Sequence, residues 1–559
     1  MNVHFKTELK SCPVCSSTLT PYATMRRTVV SQEYGRFTAI VHLMKCPEDN
    51  KIFRPGSLNR IVNPYCTYAN DVMVDAAVKR FIDGRSCSEI SSSFDNGISE
   101  RHVRSVSNMA LSIFGEIHEE SIPKLRESMH SWILQIDGTT DSEFSMIVTV
   151  MDASSGFVLY AKKCSSESQE NVEDVLKRIE EMFGTPSGTI CDMSDGTLSA
   201  ARAVFPDVPT RICLMHFLRD LGKDILKNMH TDLGTMITRI GIKSPLKAVL
   251  RSIPDYSQRT LDEIYYGFCS DRKEMEIMAV RRVIEKVVSM KGSSGYGFPF
   301  SLQHLNFFVA CEEAEKKLSD LVPMMKERES LALTSIVEHH ISRVTGNEAI
   351  RETANKLRDI NSLIFKSIRS AFLMPDKGRL SEEVSDFPDY VIRERCEIVF
   401  GQLDVYLRAD IPWHLFSAAK IAIERYHNRV EMLFANNTDH TIPRTNNGIE
   451  RFFRKMRRNV RKRCGNLATG KILTHSGEPL ALFQNMSNER YREIVFGSED
   501  IPQVFAKHRK QFRKVGMTRK WIVQLVDKGT DMIIRDSLPD SPYTKDGMGS
   551  AYSNTLFPP

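Results

Sequence analysis

The segment Trp132-Ile133-Leu134-Gln135-Ile136-Asp137-Gly138-Thr139 decides how this chain is read, because an apolar run of strand length ends there on a carboxylate and a glycine. Two more strand-like runs follow, Phe144 to Met151 and Phe157 to Ala161, joined by the turn Ser154-Ser155-Gly156 into a meander. From Asn171 to Phe183 the apolar residues Val172, Val175, Leu176, Ile179 and Met182 recur on one helical face, with charges opposite. Gly188-Thr189-Ile190-Cys191 then leads into Asp192, a helix is expected over Leu198 to Val204, and Thr210 to Phe217 reads as a fifth strand. The order β-β-β-α-β-α-β predicts a mixed α/β core, with Asp137 at the exit of the first strand and Asp192 at the exit of the fourth. Asp141 and Asp152 read as turn acids.

Two carboxylates at the ends of strands that could lie side by side supply what a pair of Mg²⁺ ions needs: hard oxygen ligands, few in number, with positions left for water and phosphate. A third acid is offered by Thr445-Asn446-Asn447-Gly448-Ile449-Glu450, which sets a glutamate in the first turn of a new helix. Beyond it Arg451, Arg454, Lys455, Arg457, Arg458, Arg461, Lys462 and Arg463 crowd one segment without a compensating acid, a charge pattern suited to a DNA backbone. Phe452, Phe453, Met456 and Val460 interleave at near-helical spacing and can anchor that helix. A second basic stretch, Lys507 to Lys520, reads as further nonspecific DNA affinity or as a tail.

The 559 residues are enough for several cores, and 41% hydrophobic with 26% charged residues is an ordinary globular composition. A net charge of +6 is too small over this length to identify a nucleic-acid partner by itself, so the position of the charges matters more than their sum. No apolar run is long enough to span a bilayer, and Met1 to Lys10 carries no secretory signal pattern, so a cytoplasmic, nucleoid-associated protein with reduced cysteines is expected. Of twelve cysteines, Cys12, Cys15, Cys46 and Cys66 fall at the N-terminus. Cys12-Pro13-Val14-Cys15 has the form of a zinc knuckle, and Cys46-Pro47-Glu48-Asp49 repeats it with an aspartate in the last place. Strand-like residues Phe37 to Leu43 lie between the two. The fourth zinc ligand is Asp49, Cys66 or His42.

Helical spacing of Val72, Ala76, Val78, Phe81 and Ile82 predicts a helix over Tyr68 to Ile82, ended by Gly84. Ser86-Cys87-Ser88-Glu89 is a capping box for a short helix through Phe94, the turn Asp95-Asn96-Gly97 follows, and Ser99 caps a helix from Glu100 to about Ile117. This is the layout of a helix-turn-helix, whose last helix would present Arg101, His102 and Arg104 to base edges.

The motifs Ile136-Asp137-Gly138-Thr139, Cys191 to Pro206 (CDMSDGTLSAARAVFP), Arg211 to Leu221 (RICLMHFLRDL) and Thr445 to Arg454 (TNNGIERFFR) together resemble DDE transposases of the RNase H-like superfamily, notably the Mutator-like group and related insertion-sequence enzymes. The resemblance covers roughly residues 130 to 470. It implies an RNase H-like core of mixed sheet and flanking helices, interrupted by a large all-helical insertion. It also implies metal-dependent DNA cleavage and strand transfer at terminal inverted repeats, with Asp137, Asp192 and Glu450 as the triad holding two Mg²⁺ or Mn²⁺ ions. Asp195 is a rival for the second position. Cys213 and His216 match the family's C-x-x-H pair; on a strand, residues three apart face opposite ways, so a structural or positioning role is expected over metal binding. The expected division is a zinc-ribbon-like segment at 1–67 and a helix-turn-helix at 68–125. The core follows at 126–217 and 436–475, the insertion at 218–435 and a helical, basic C-terminal region at 476–559. Double-stranded DNA is the expected partner and a homodimer or higher oligomer the expected assembly. An RNase H-like nuclease without strand transfer, or an inactive DNA-binding regulator, are the other readings.

Overall fold

The computed structural model describes residues 1–63, 66–94, 97–140, 146–290, 297–374, 387–435, 442–465 and 470–508. Two mixed sheets and many helices make the fold mixed α/β. The first sheet contains β1 (Asn2–Phe5), β2 (Thr20–Ser31), β3 (Gly35–Lys45) and β4 (Ile52–Phe53). β3 pairs with β1 in parallel and with β2 and β4 antiparallel. Alternation along β3 sends Phe37, Ala39, Val41 and Leu43 into a core with Phe5, Val29, Leu58 and Val62.

Helices α1 (Asn70–Phe81), α2 (Cys87–Ser92) and α3 (Glu100–Glu120) follow, and the first two pack on the third. The capping box at Ser86 and Glu89 is formed, and Ser99 accepts the His102 N–H. Gly84 leaves α1 at φ +69°, where a Cβ would also meet the Asn459 backbone at 3.1 Å, so two constraints select glycine there. Asp95 and Asn96 lie outside the described residues.

The second sheet is five-stranded in the order β7-β6-β5-β8-β9. β5 (Ile133–Thr140), β6 (Met146–Asp152) and β7 (Val158–Cys164) form the antiparallel meander, and β8 (Gly188–Cys191) pairs with β9 (Thr210–Ile212) in parallel. Helices α4 (Gln169–Phe183) and α5 (Asp195–Val204) connect these strands. Two expectations are corrected. Asp137 lies inside β5 rather than at its exit, because pairing continues from Asp137 opposite Thr149 to Thr140 opposite Met146. The fifth strand stops at Ile212, and the rest of the expected strand belongs to α6 (Leu214–Ile240), since a short apolar run fits either period and Leu214, Phe217, Leu218 and Leu221 are buried along a helix. Asp152 is a turn acid, accepting the N–H groups of Ile133, Ser154 and Ser155 at 3.0, 3.2 and 2.8 Å; Asp141 lies outside the described residues.

The chain divides into two compact units. One contains Met1–Ser187, Ser199–Pro206 and the chain from Asn447, and the other Gly188–Leu198 and Asp207–Asn446. In the second, α6 begins a series of helices with no strand among the described residues of 218–435. It includes α7 (Glu348–Asp359), α8 (Asp389–Tyr406) and α9 (Trp413–His427). In the first, α10 (Asn447–Cys464), α11 (Gly470–Phe483) and α12 (Glu489–Phe496) return to the meander and α3. No described helix is long and apolar enough to cross a membrane.

A buried histidine fastens α3 to β7 and α12. His118 meets the Leu159 carbonyl through Nε2 at 2.9 Å and the Tyr491 hydroxyl through Nδ1 at 2.6 Å. Burial depresses its pKa to about 4. The unfolded chain, with a histidine near its ordinary value, therefore binds more protons between pH 6.5 and 4 than the folded chain does. His118 should remove about 3 kcal/mol of stability as pH falls through that window and have no effect above it. Urea unfolding from pH 7 to 4.5 checks this: His118→Gln should lose that part of the pH slope, and an unchanged slope refutes it.

Candidate active site and metal centres

Asp137 sits on β5 beside Gly138, whose N–H donates to its Oδ1 at 2.8 Å. A Cβ on Gly138 would lie 3.5 Å from the Glu167 carboxyl. Asp137 and Glu167 accordingly offer carboxylate oxygens within 4.8 Å of each other. Sequence reasoning missed Glu167. A signal existed in the strand register: Thr140 pairs with Met146 and Met146 with Cys164, so the end of β7 is level with the end of β5, and Glu167 follows three residues later.

Glu450 occupies the first turn of α10 as expected, and this helix packs on β5. A Cβ on Gly448 would meet Gln135 Oε1 at 2.6 Å, so the glycine of the T-N-N-G segment permits close approach to the strand. Phe453, Met456 and Val460 are buried as anchors, and Phe452 is half-buried. The Arg457 guanidinium donates to the Thr139 hydroxyl, a second tie between helix and strand. Glu450 does not belong to the carboxylate group that includes Asp137 and Glu167.

Asp192 directly follows β8 and accepts the Ser194 N–H at 3.1 Å. Its rival Asp195 opens α5 with a side chain 95% exposed, 3.8 Å from Arg429. Asp137, Glu167 and Asp192 form an acidic triad that could hold a metal ion, and Asp195 is not part of it. The C-x-x-H pair straddles a strand-to-helix junction: Cys213 is the N-cap of α6 and His216 lies in its first turn. Strand alternation therefore does not govern their directions. Cys213 Sγ accepts the Asn446 N–H at 3.1 Å, and the Leu214 N–H donates to the Arg444 carbonyl at 2.9 Å, so this motif holds the segment that leads into α10.

At the N-terminus Cys12, Cys15, Cys46 and Asp49 bring their ligand atoms within 4.8 Å of one another and could hold a metal ion. The two turns are built alike. Cys12 donates its N–H to the Ser17 carbonyl and Cys46 to the Lys51 carbonyl, each five residues on. Ser16 and Asn50, each just after the fourth position, both have φ +59°. Asp49 thus takes the place of a second-knuckle cysteine. His42 instead stacks on His4 at 5.3 Å, and Cys66 is not in the group. Burial pushes the Cys46 thiol up to about 11, so metal binding must displace its proton. Three sulfurs and one oxygen suit zinc. The purified protein should carry about one zinc equivalent. Asp49→Ala should release it more readily and Asp49→Cys should hold it more tightly in a chelator competition; less than half an equivalent by metal analysis would refute the site.

Arg451, Arg454, Arg458 and Arg461 are all exposed on α10, and their three- and four-residue spacing lines them up on one face. None of the four has an ion-pair partner among the described residues. Lys455 is turned to the Ser487 hydroxyl at 3.2 Å. The far end of α10 meets the α1 exit, where Asn459 and Lys462 donate to the carbonyls of Ile82 and Asp83 at 2.7 and 3.0 Å and Arg463 lies over the Phe81 ring. On α3, Arg101, His102 and Arg104 are exposed in the first two turns, with the His102 ring beside Tyr68 at 5.2 Å. Of the second basic stretch, Lys507 ends a helix and pairs with Glu499, while residues from 509 on lie outside the described part.

No protein-family model matches the chain, and no curated protein matches it.

Proposed function

We propose that the chain is a DDE transposase with an RNase H-like core, cutting and joining the DNA of its own element. The observation that carries the proposal is the acidic triad Asp137, Glu167 and Asp192, standing on an α/β sheet where a metal-dependent phosphodiester enzyme needs hard oxygen ligands. Divalent ions held by these carboxylates would polarise the phosphoryl oxygen and lower the pKa of an attacking water or 3′-hydroxyl, and Glu450, which lies outside their group, would have to approach to add a further ligand. The carboxylates themselves must be ionised, and the bound cations would offset their repulsion from the DNA backbone.

The arginine face of α10 supports a DNA substrate, since uncompensated guanidiniums in a row neutralise successive phosphates regardless of sequence. The three helices α1 to α3 support a reading role, with Arg101, His102 and Arg104 at the entrance of the last one. The N-terminal Cys₃Asp centre supports a zinc-ribbon-like module beside them. Pairing of two DNA ends calls for at least a dimer, and the substrate places the enzyme at the nucleoid.

The test is product analysis with purified full-length protein, DNA carrying the inverted repeats that flank its coding region, and Mg²⁺ or Mn²⁺. Joined products are expected. Cleaved but unjoined products would favour a nuclease, and sequence-specific binding without cleavage would favour a regulator.

A further inference from the structure

The helix Gln258–Tyr265 is turned inside out. Its buried residues are polar: the Thr260 hydroxyl donates to Glu274 at 2.5 Å, and Glu263 accepts the Ser270 N–H at 2.8 Å and pairs with Arg259 at 3.1 Å. Its apolar residues face water. Leu261, Ile264 and Tyr265, spaced three and four apart so that they share a face, are 41, 44 and 83% exposed. Tyr266 and Phe268 continue the patch at 75 and 57% exposure. The Tyr265 and Tyr266 rings meet edge to face with centroids 5.3 Å apart. Gly267, at φ +84°, turns the chain back so that the Phe268 N–H reaches the Glu263 carbonyl at 3.0 Å, which keeps Phe268 against the last turn.

An amphipathic helix ordinarily buries its apolar stripe and exposes its polar one, so a stripe held in water by the reverse arrangement marks a docking face. A fully exposed aromatic side chain presents about 150–250 Å², and at their measured exposures Tyr265, Tyr266 and Phe268 alone leave about 400 Å² in water. Set against itself across a two-fold axis, the patch hides that area twice. This is about 800 Å² before Leu261, Ile264 and the rim are added, which approaches the roughly 1,200 Å² at which specific interfaces begin. The composition is that of an interface centre, aromatic and uncharged. Arg259 and Asp262, both exposed on the same helix, give the rim one charge of each sign, which a two-fold axis can set against one another. A DNA backbone is disfavoured, because the five residues carry no positive charge and Asp262 beside them repels phosphate.

We propose that two copies of this chain dimerise through the face formed by Leu261, Ile264, Tyr265, Tyr266 and Phe268. The contact is isologous, with the same five residues meeting across the two-fold axis. Tyr265 and Tyr266, the most exposed of them, carry most of the binding energy, as large flat side chains at an interface centre do. Such a dimer would bring two DNA ends into one assembly, as the proposed function requires, but the patch is present whatever the chain does to DNA.

Sedimentation equilibrium of the full-length protein without DNA reads the assembly directly. A dimer at micromolar concentration is expected. Tyr265→Asp and Ile264→Asp should each raise its dissociation constant about 30-fold or more, and Tyr265→Phe should keep it within a few-fold. Tyr265 is mostly exposed, so circular dichroism and thermal melting of its variants should match the parent. Benzoylphenylalanine at position 266, activated by light, should join two chains through residues 258–268 of each. A parent that is monomeric at about 100 μM overturns the proposal. So does a dimer that survives both aspartate variants, or a cross-link confined to one chain or to other residues. Mass measured without DNA keeps this result separate from the catalytic reading, since a dimeric parent that cleaves nothing leaves the interface standing.

Discussion

Asp137→Ala should lower metal-dependent strand cleavage by about 10³-fold or more, equivalent to roughly 4 kcal/mol of transition-state stabilisation, while leaving affinity for the DNA ends within a few-fold. The asymmetry follows from where the charges lie. Asp137 contributes a carboxylate to the acidic triad and no positive charge for phosphate, whereas the cations suited to phosphate are the four exposed arginines of α10. Asp137→Asn keeps shape but not charge and should be equally inactive. Asp192→Ala should match it, and Asp195→Ala should be near neutral, because Asp195 is exposed beside Arg429. The two glutamates should separate by metal dependence. Glu167 lies between β7 and α4, outside both elements, so Glu167→Gln should weaken ion binding and recover as Mn²⁺ is raised. Glu450 is set on a helix fixed against β5 by Gly448 and Arg457, and Glu450→Ala should not recover. Quantified nicking across a metal titration reads all of these, and full activity of Asp137→Ala would remove Asp137 and its triad as the catalytic site.

What could be read from residues alone follows from how local each determinant is. The meander, the capped helices and the Glu450 helix depend on alternation, caps and spacing within a dozen neighbours, and their positions emerge to within a few residues. Asp137 could be picked out because a carboxylate interrupts an apolar run. Glu167 could not, since Ser165-Ser166-Glu167-Ser168 has the composition of any loop and matters only through cross-strand register. Thr210 to Phe217 failed for the converse reason: eight mostly apolar residues suit a strand or a buried helix, and the long apolar face continuing to Ile237 decides for helix after Ile212. Asp49 was one of three possible ligands until the matching turns at Ser16 and Asn50 placed it.

The larger stability effect is expected at a carboxylate that is not part of the triad. Asp389 begins α8 and binds Arg211 through two bonds of 2.8 and 2.9 Å, while Arg444 donates to it at 2.8 Å. Arg211 is 2% exposed and also donates to the Ile442 carbonyl. Burial opposes ionisation of Asp389, but the bonds and charges of the two arginines outweigh it and hold the carboxyl below its ordinary range. The carboxylate is therefore charged throughout the neutral range, and its contribution is lost only as pH falls through that depressed value. Asp389→Ala should destabilise the protein by about 3–5 kcal/mol, because it strands a guanidinium that water cannot reach. The double variant Arg211→Met, Asp389→Leu should recover much of that loss, since it removes the buried charge together with its partner. Urea unfolding at pH 7 compares the three proteins, and a single variant within 1 kcal/mol of the parent would show that the arginines find other partners. The same substitution should also loosen Ile442 to Asn446, which the Arg211 guanidinium, the Leu214 N–H and the Cys213 sulfur hold just ahead of α10. Cleavage by Asp389→Ala should then fall even at temperatures where the protein stays folded, with little change in DNA affinity, because Ile442 to Asn446 run directly into α10, which carries Glu450.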